Sequence, residues 1–169
     1  MAVKAVIIGG GVVGCITAIK LKENGYDVTL VDKSFVGEES SAAGAGIIFP
    51  LMPWNYESRV FDLCLDALSF YKNLSIKLIK AGFEDPEFIE SGMICIDPSD
   101  KKKIVQWGKK NNFTIKEYLF NNRPSYELAK VAQINPTKLM KSLKQYISRL
   151  GIELIENVNM RKIEKKSNY

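Results

Sequence analysis

An almost wholly apolar run, Val3 to Ile8, passes directly into Gly9-Gly-Gly-Val-Val-Gly14, and this junction restricts the fold more than any other stretch of the chain. The run suits a central parallel strand covered on both faces. From Val12 to Asn24 apolar residues recur at helical spacing, with Gly25 placed as a left-handed cap, and Asp27 to Val31 is a second strand. Strand, glycine turn, helix and strand within about thirty residues predict a βαβ unit. Gly9, Gly11 and Gly14 each have a distinct task in such a turn: the first permits the bend, the second lets backbone approach a pyrophosphate, and the third lets helix and strand pack closely. The helix start then offers free N–H groups and a positive dipole end to phosphates. Asp32 closes the second strand, about twenty residues from the glycines, where a carboxylate accepts the two hydroxyls of a ribose and disfavours a 2′-phosphate. A glycine turn with no nucleotide, and a surface strand-end carboxylate, are the bland alternatives. Agreement of all four features favours a dinucleotide.

The rest of the chain supplies further elements. Gly37 to Pro53, with three glycines and two prolines, is expected as a loop with a helical turn. Apolar positions from Val60 to Leu78 predict one long helix over Tyr56 to Lys80, closed by Gly82. Short strands are expected at Phe88 to Glu90 and Met93 to Ile96 around Ser91-Gly92, followed by a helix beginning near Ser99. Asn135 and Pro136 mark the start of a helix that carries Leu139, Leu143, Tyr146, Ile147 and Leu150 and ends at Gly151. Ile152 to Ile155 would be the third parallel strand and Met160 to Ile163 a last one.

Several chemistries are excluded or disfavoured. The chain has no histidine, so Ser-His, Cys-His and His-metal sites cannot be built within it. Cys15, Cys64 and Cys95 are odd in number and widely separated, so neither a disulfide framework nor a thiolate metal site is suggested. The formal charge is +5, yet the lysines are spread along the chain. The densest group, Lys101 to Lys103 with Lys109 and Lys110, fits a solvated helix face better than a phosphate patch, so nucleic acid is not an expected partner. No apolar stretch is long enough to span a membrane, and the amino terminus lacks the pattern of a secretory signal. A cytoplasmic location is expected.

The segment Glu39-Ser-Ser-Ala-Ala-Gly-Ala-Gly-Ile-Ile-Phe-Pro50, taken with Gly9 to Gly14 and Val31-Asp-Lys33, resembles the amino-terminal half of the FAD-dependent D-amino acid oxidase superfamily, and its glycine oxidase branch in particular. The similarity runs to the end of the chain. It implies FAD as cofactor, with Val12 and Val13 offering backbone to the pyrophosphate and Asp32 and Lys33 holding the adenosine ribose. It further implies that Ser40 and Ser41 face the phosphates, that Ala45, Gly46 and Ile47 lie against the isoalloxazine ring, and that Met160 contacts adenine through its main chain. Asp32 departs from the commoner glutamate, Ala42 from the serine of some relatives and Met160 from the usual valine. Small side chains in the Ser-Ala-Gly loop would let a planar ring approach backbone; a flexible surface loop is the alternative. Trp54 and Tyr56 could face a substrate cavity or the core.

The expected architecture is α/β. An incomplete Rossmann-like parallel sheet for FAD, residues 1–52 and 133–169, would receive part of an α+β substrate-binding region, residues 53–132. The resemblance implies hydride transfer from a small amine or amino acid to the flavin, with no catalytic acid or base assigned. The family's substrate-binding arginine and tyrosine residues, and its return to the nucleotide domain, lie later than Tyr169. A truncated or split form is therefore expected, its sheet exposed unless a dimer mate or complementing second chain covers it. The alternative is a non-catalytic dinucleotide-binding fragment or subunit.

Overall fold

A computed structural model describes residues 2–64, 66–96, 98–162 and 164. Its strands are β1 (Lys4–Ile8), β2 (Asp27–Val31), β3 (Ile47–Ile48), β4 (Met93–Ile96), β5 (Ile115–Phe120), β6 (Arg123–Leu128), β7 (Ala132–Gln133) and β8 (Glu153–Ile155). Its helices are α1 (Val12–Glu23), α2 (Ser58–Cys64), α3 (Ala67–Lys80), α4 (Lys101–Lys110) and α5 (Pro136–Arg149), with a 3₁₀ turn at Pro53–Asn55. The chain divides into two compact units, one made of Met1–Ala45, Leu78–Pro86 and Pro136–Tyr169, the other of Gly46–Lys77 and Glu87–Asn135.

The first unit is built on a parallel sheet in the order β1-β2-β8. Lys4 stands opposite Asp27 and Ile8 opposite Val31, while Thr29 faces Glu153 across the other edge of β2. Thr29 Oγ1 also donates to Glu153 Oε2 at 2.8 Å. Helix α1 packs on β2 and on α5. Cys15, Ala18 and Ile19 of α1, Val28 and Leu30 of β2, and Leu139, Leu143 and Ile147 of α5 are buried and form the core. Each large side chain removed from water in this way contributes about 1.5–3 kcal/mol. Gly25 (φ +84°) ends α1 and Gly151 (φ +66°) ends α5, left-handed positions that a side chain would strain.

The second unit holds an antiparallel sheet in the order β4-β6-β5. Strands β5 and β6 form a hairpin that was not expected, turned by Asn121 and Asn122 at φ +49° and +59°, the conformation of a two-residue type I′ loop. Pro124 of β6 pairs with Leu119 of β5, and among the described residues β4 pairs with Ser125 to Leu128. Asp100 caps α4, accepting the Lys103 N–H at 3.1 Å. The fully buried Ile104 joins Cys95, Tyr126, Leu128 and Val131 in a core flanked by Phe49, Trp54 and Phe113. Trp54 is thus a packing residue, its ring 6.2 Å from that of Trp107, whereas Tyr56 is exposed.

Four expectations are corrected. β1 is not covered on both faces: among the described residues it is an edge strand, and Val6 and Ile8 are 62% and 52% exposed, because β2 rather than β1 occupies the middle of this sheet. The single helix over Tyr56 to Lys80 is instead α2 and α3, since Asp66 starts a fresh helix, its carbonyl accepting Phe70 N–H at 2.9 Å. Phe88 to Glu90 is not a strand; Ile89 alone bridges Gln133, hemmed in by left-handed Glu87 and Gly92. Met160 to Lys162 form no strand either, Ile163 lying outside the described residues. The backbone before them turns at Asn157 (φ +60°) and bonds instead to the loop after β2, from Asn157 N–H to Ser34 O at 3.3 Å and Val158 N–H to Asp32 O at 3.0 Å.

Candidate functional site

The site is assembled where β1 and β2 end. Gly9 adopts φ +104°, outside the range of most side chains, and its N–H donates to Val31 O at 2.8 Å. A Cβ on Gly14 would stand 1.8 Å from Gly9 O, so only glycine lets α1 start this close to β1. Gly10, which the sequence reasoning passed over, is equally confined: its Cβ would meet Val36 Cγ2 at 2.7 Å and Asp32 Oδ2 at 3.0 Å. Gly11 is the N-cap of α1 and brings no side-chain cap, and the first turn has no acidic residue. Val12 N–H donates to Ser41 Oγ at 2.9 Å. The positive end of α1 is thus left for an external anion or a neighbouring hydroxyl to satisfy.

Asp32 turns back toward these glycines. Its Oδ2 accepts the Gly10 N–H, and its Oδ1 accepts the Ser34 N–H at 2.8 Å and the Ser34 hydroxyl at 3.1 Å. Burial opposes ionisation of the Asp32 carboxyl, but the Ser34 and Gly10 donors and the Lys33 charge outweigh it and hold its pKa below the ordinary value. The carboxylate stays ionised, with acceptor capacity beyond the three bonds it already makes. Lys33 pairs with Glu39 at 3.1 Å, both side chains being largely exposed.

A cavity of about 290 Å³ opens beside this turn, near the lower end of the range for small-molecule sites. Of the expected site residues, Gly9, Gly11, Asp32, Lys33, Ser40, Ser41 and Met160 line it. Val12, Val13 and Gly14 form the start of α1 beside it, Val13 being 75% exposed. Ala45 ends the first unit, while Gly46 and Ile47 belong to the second, where Gly46 O accepts the Ile134 N–H at 2.8 Å and Ile47 pairs with Gln133. Phe35, Glu39, Val158 and Asn159 also line the cavity and had not been expected. Asp-x-Ser, a turn-forming pattern, could have revealed Ser34; nothing local marks Val158 or Asn159.

Residues 4–168 match the model of a family described as FAD dependent oxidoreductase. The chain belongs to that family. FAD is therefore its cofactor, and the residues present fit the group: a glycine cradle that added Cβ atoms would fill, a helix start whose N-cap, Gly11, brings no side chain, and an ionised carboxylate at the end of β2. Glycine oxidase from Pseudomonas aeruginosa is 30% identical over 174 residues, covering 95% of this chain and 48% of the relative. The structure of glycine oxidase from Bacillus cereus superposes with a TM-score of 0.82 at 24% identity, over 99% of this chain and 49% of that one. L-amino acid deaminase from Proteus myxofaciens gives 0.81 at 20% identity, over 96% and 40%. This FAD-dependent oxidoreductase chain thus spans just under half the length of the curated relatives it matches. Among its described residues no helix is long and apolar enough to cross a membrane.

Proposed function

We propose that this chain carries the nucleotide-anchoring part of an FAD-dependent oxidoreductase that oxidises the C–N bond of a small amino acid or amine. The observation that supports it is that Gly9, Gly11, Asp32, Lys33, Ser40, Ser41 and Met160 line one and the same cavity, although Gly9 and Met160 lie 151 positions apart in sequence. In this proposal the turn at Gly9 to Gly14, with the Val12 and Val13 amides, seats the pyrophosphate. Asp32 and Lys33 hold the ribose, Ser40 and Ser41 turn hydroxyls to the phosphates, and the Met160 backbone faces adenine. Ala45, Gly46 and Ile47 would lie against the ring, and residues 53–132 would contribute to the substrate side. FAD, when bound, accepts a hydride from the amine-bearing carbon. The chain's own residues bind and orient, and orientation supplies much of the rate in such a transfer. A small amine or amino acid is the proposed substrate, with a dimer mate or complementing chain over the exposed β1 face.

The test begins with FAD added to the purified chain, followed by flavin fluorescence, with ADP as competitor. Uptake of FAD that ADP displaces is expected, followed by anaerobic bleaching of the yellow protein with glycine, sarcosine or a D-amino acid. Failure to take up FAD would remove the proposal. FAD uptake without bleaching by any amine would favour a nucleotide-binding module without turnover, the second reading.

A further inference from the structure

We propose that Glu156 and Lys144 form a positioning pair for the nucleotide site, clamping the loop Ser34 to Gly37 so that Asp32 and the glycine turn keep a binding-competent geometry. The inference rests on the cavity being the nucleotide site. Glu156 follows β8 directly, and its Oε1 accepts both the Val36 N–H and Lys144 Nζ, each at 2.7 Å. Neither partner lines the cavity.

What the pair holds explains its importance. Val36 is buried and covers Gly10 so closely that a Cβ there would meet Val36 Cγ2 at 2.7 Å; Gly10 in turn donates to Asp32. Lys144 Nζ also lies 5.4 Å over the ring of Phe35, a cavity-lining side chain. Gly37 (φ +87°) presses on α5, where a Cβ would stand 2.8 Å from Met140. The loop therefore touches the helix at Phe35 and Gly37, and its one amide between them, Val36 N–H, is held by Glu156. Burial opposes ionisation of Glu156, and the Asp32 charge adds to that opposition. The Lys144 and Val36 hydrogen bonds and the Lys144 charge overcome both and lower its pKa. Both bonds are accordingly charge-assisted, the stronger class. Releasing the loop would populate states in which Asp32 no longer faces the turn, and apparent affinity falls with the fraction of competent chains.

ADP and FAD dissociation constants would be measured for the wild-type chain, Glu156→Gln, Glu156→Leu, Lys144→Met and the Glu156→Gln/Lys144→Met double variant, together with hydrogen exchange at Val36. Glu156→Leu is expected to weaken ADP and FAD by the same factor, about tenfold, and to expose the Val36 amide while Leu30 stays protected. Glu156→Gln, which keeps an acceptor for Val36, should be intermediate, and the double variant no worse than the poorer single one. If Glu156→Leu does not fold, Glu156→Gln and Lys144→Met decide the matter by the same two readouts. A wild-type chain that takes up neither ligand would remove the nucleotide site itself. Wild-type binding with all variants within twofold of it would overturn the positioning role alone.

Discussion

Replacing Gly14 with alanine places a methyl group 1.8 Å from the Gly9 carbonyl oxygen and 3.0 Å from the Gly9 carbonyl carbon, the former about half the 3.4 Å at which ordinary contact begins. The obstructing atoms are backbone at the bend between β1 and α1, so no rotamer change relieves them; α1 has to move away from the strand. Overpacking typically costs about 1–3 kcal/mol and occasionally more, and an overlap this deep with main chain belongs at about 3 kcal/mol or above. For a chain of this size each kcal/mol lowers Tm by about 2–4 °C, so Gly14→Ala should melt about 6–12 °C below wild type. Far-ultraviolet circular dichroism would follow the transition. Gly25→Ala is the control, because Gly25 needs φ +84° but a Cβ there meets nothing within 4 Å, leaving a conformational cost of about 1–2 kcal/mol. Equal losses in the two variants, or a Gly14→Ala chain within about 1 kcal/mol of wild type, would refute the view that close approach rather than dihedral freedom makes Gly14 indispensable.

Three further outcomes are expected. Asp32→Asn should weaken ADP and FAD about tenfold to a hundredfold, as loss of charged hydrogen bonds worth about 1.5–3 kcal/mol implies; calorimetric titration with unchanged affinity would show that Asp32 serves only the turn. Asp32 and Glu156 both have lowered carboxyl pKa values, so their contribution is complete above the ordinary carboxylate range near 4 and is lost as pH falls through the lowered folded values. Urea midpoints should therefore decline below about pH 4, and less so in Glu156→Gln, an equal decline arguing against Glu156. Of the three thiols, Cys15 is buried, its pKa pushed up to about 12 by burial and the Asp32 charge, and Cys95 is buried too. Ellman's reagent at pH 8 should label Cys64 first and the other two only after denaturation, while rapid labelling of Cys15 would contradict the packing of α1.

Local signals made part of this fold legible. β1, the glycine bend, α1 and β2 are neighbours in sequence, so the pattern and the structure are the same object; Pro136 and Gly151 likewise delimit α5. The hairpin of β5 and β6 was hidden because its turn is Asn121-Asn122 without glycine and because a proline such as Pro124 argues against a strand interior. The apolarity of Val3 to Ile8 describes the surroundings the strand is suited to, and says nothing of which strand lies in the middle here. In the site, Gly9, Gly11, Asp32 and Ser41 could be named from spacing and resemblance. Val36 and Glu156 could not, since 120 residues separate them and no periodicity connects a loop amide with a carboxylate beyond a distant strand.

Ser41 Oγ already accepts the Val12 N–H, so in the proposed site a phosphate arriving at the head of α1 would take part in an exchange of acceptors. The hydroxyl must rotate aside, and the energy released there is the difference between an ionic acceptor and a neutral one. A serine that releases the amide and turns its O–H toward the anion would be an acceptor before the exchange and a donor after it, a second role that Ser41→Ala would lose.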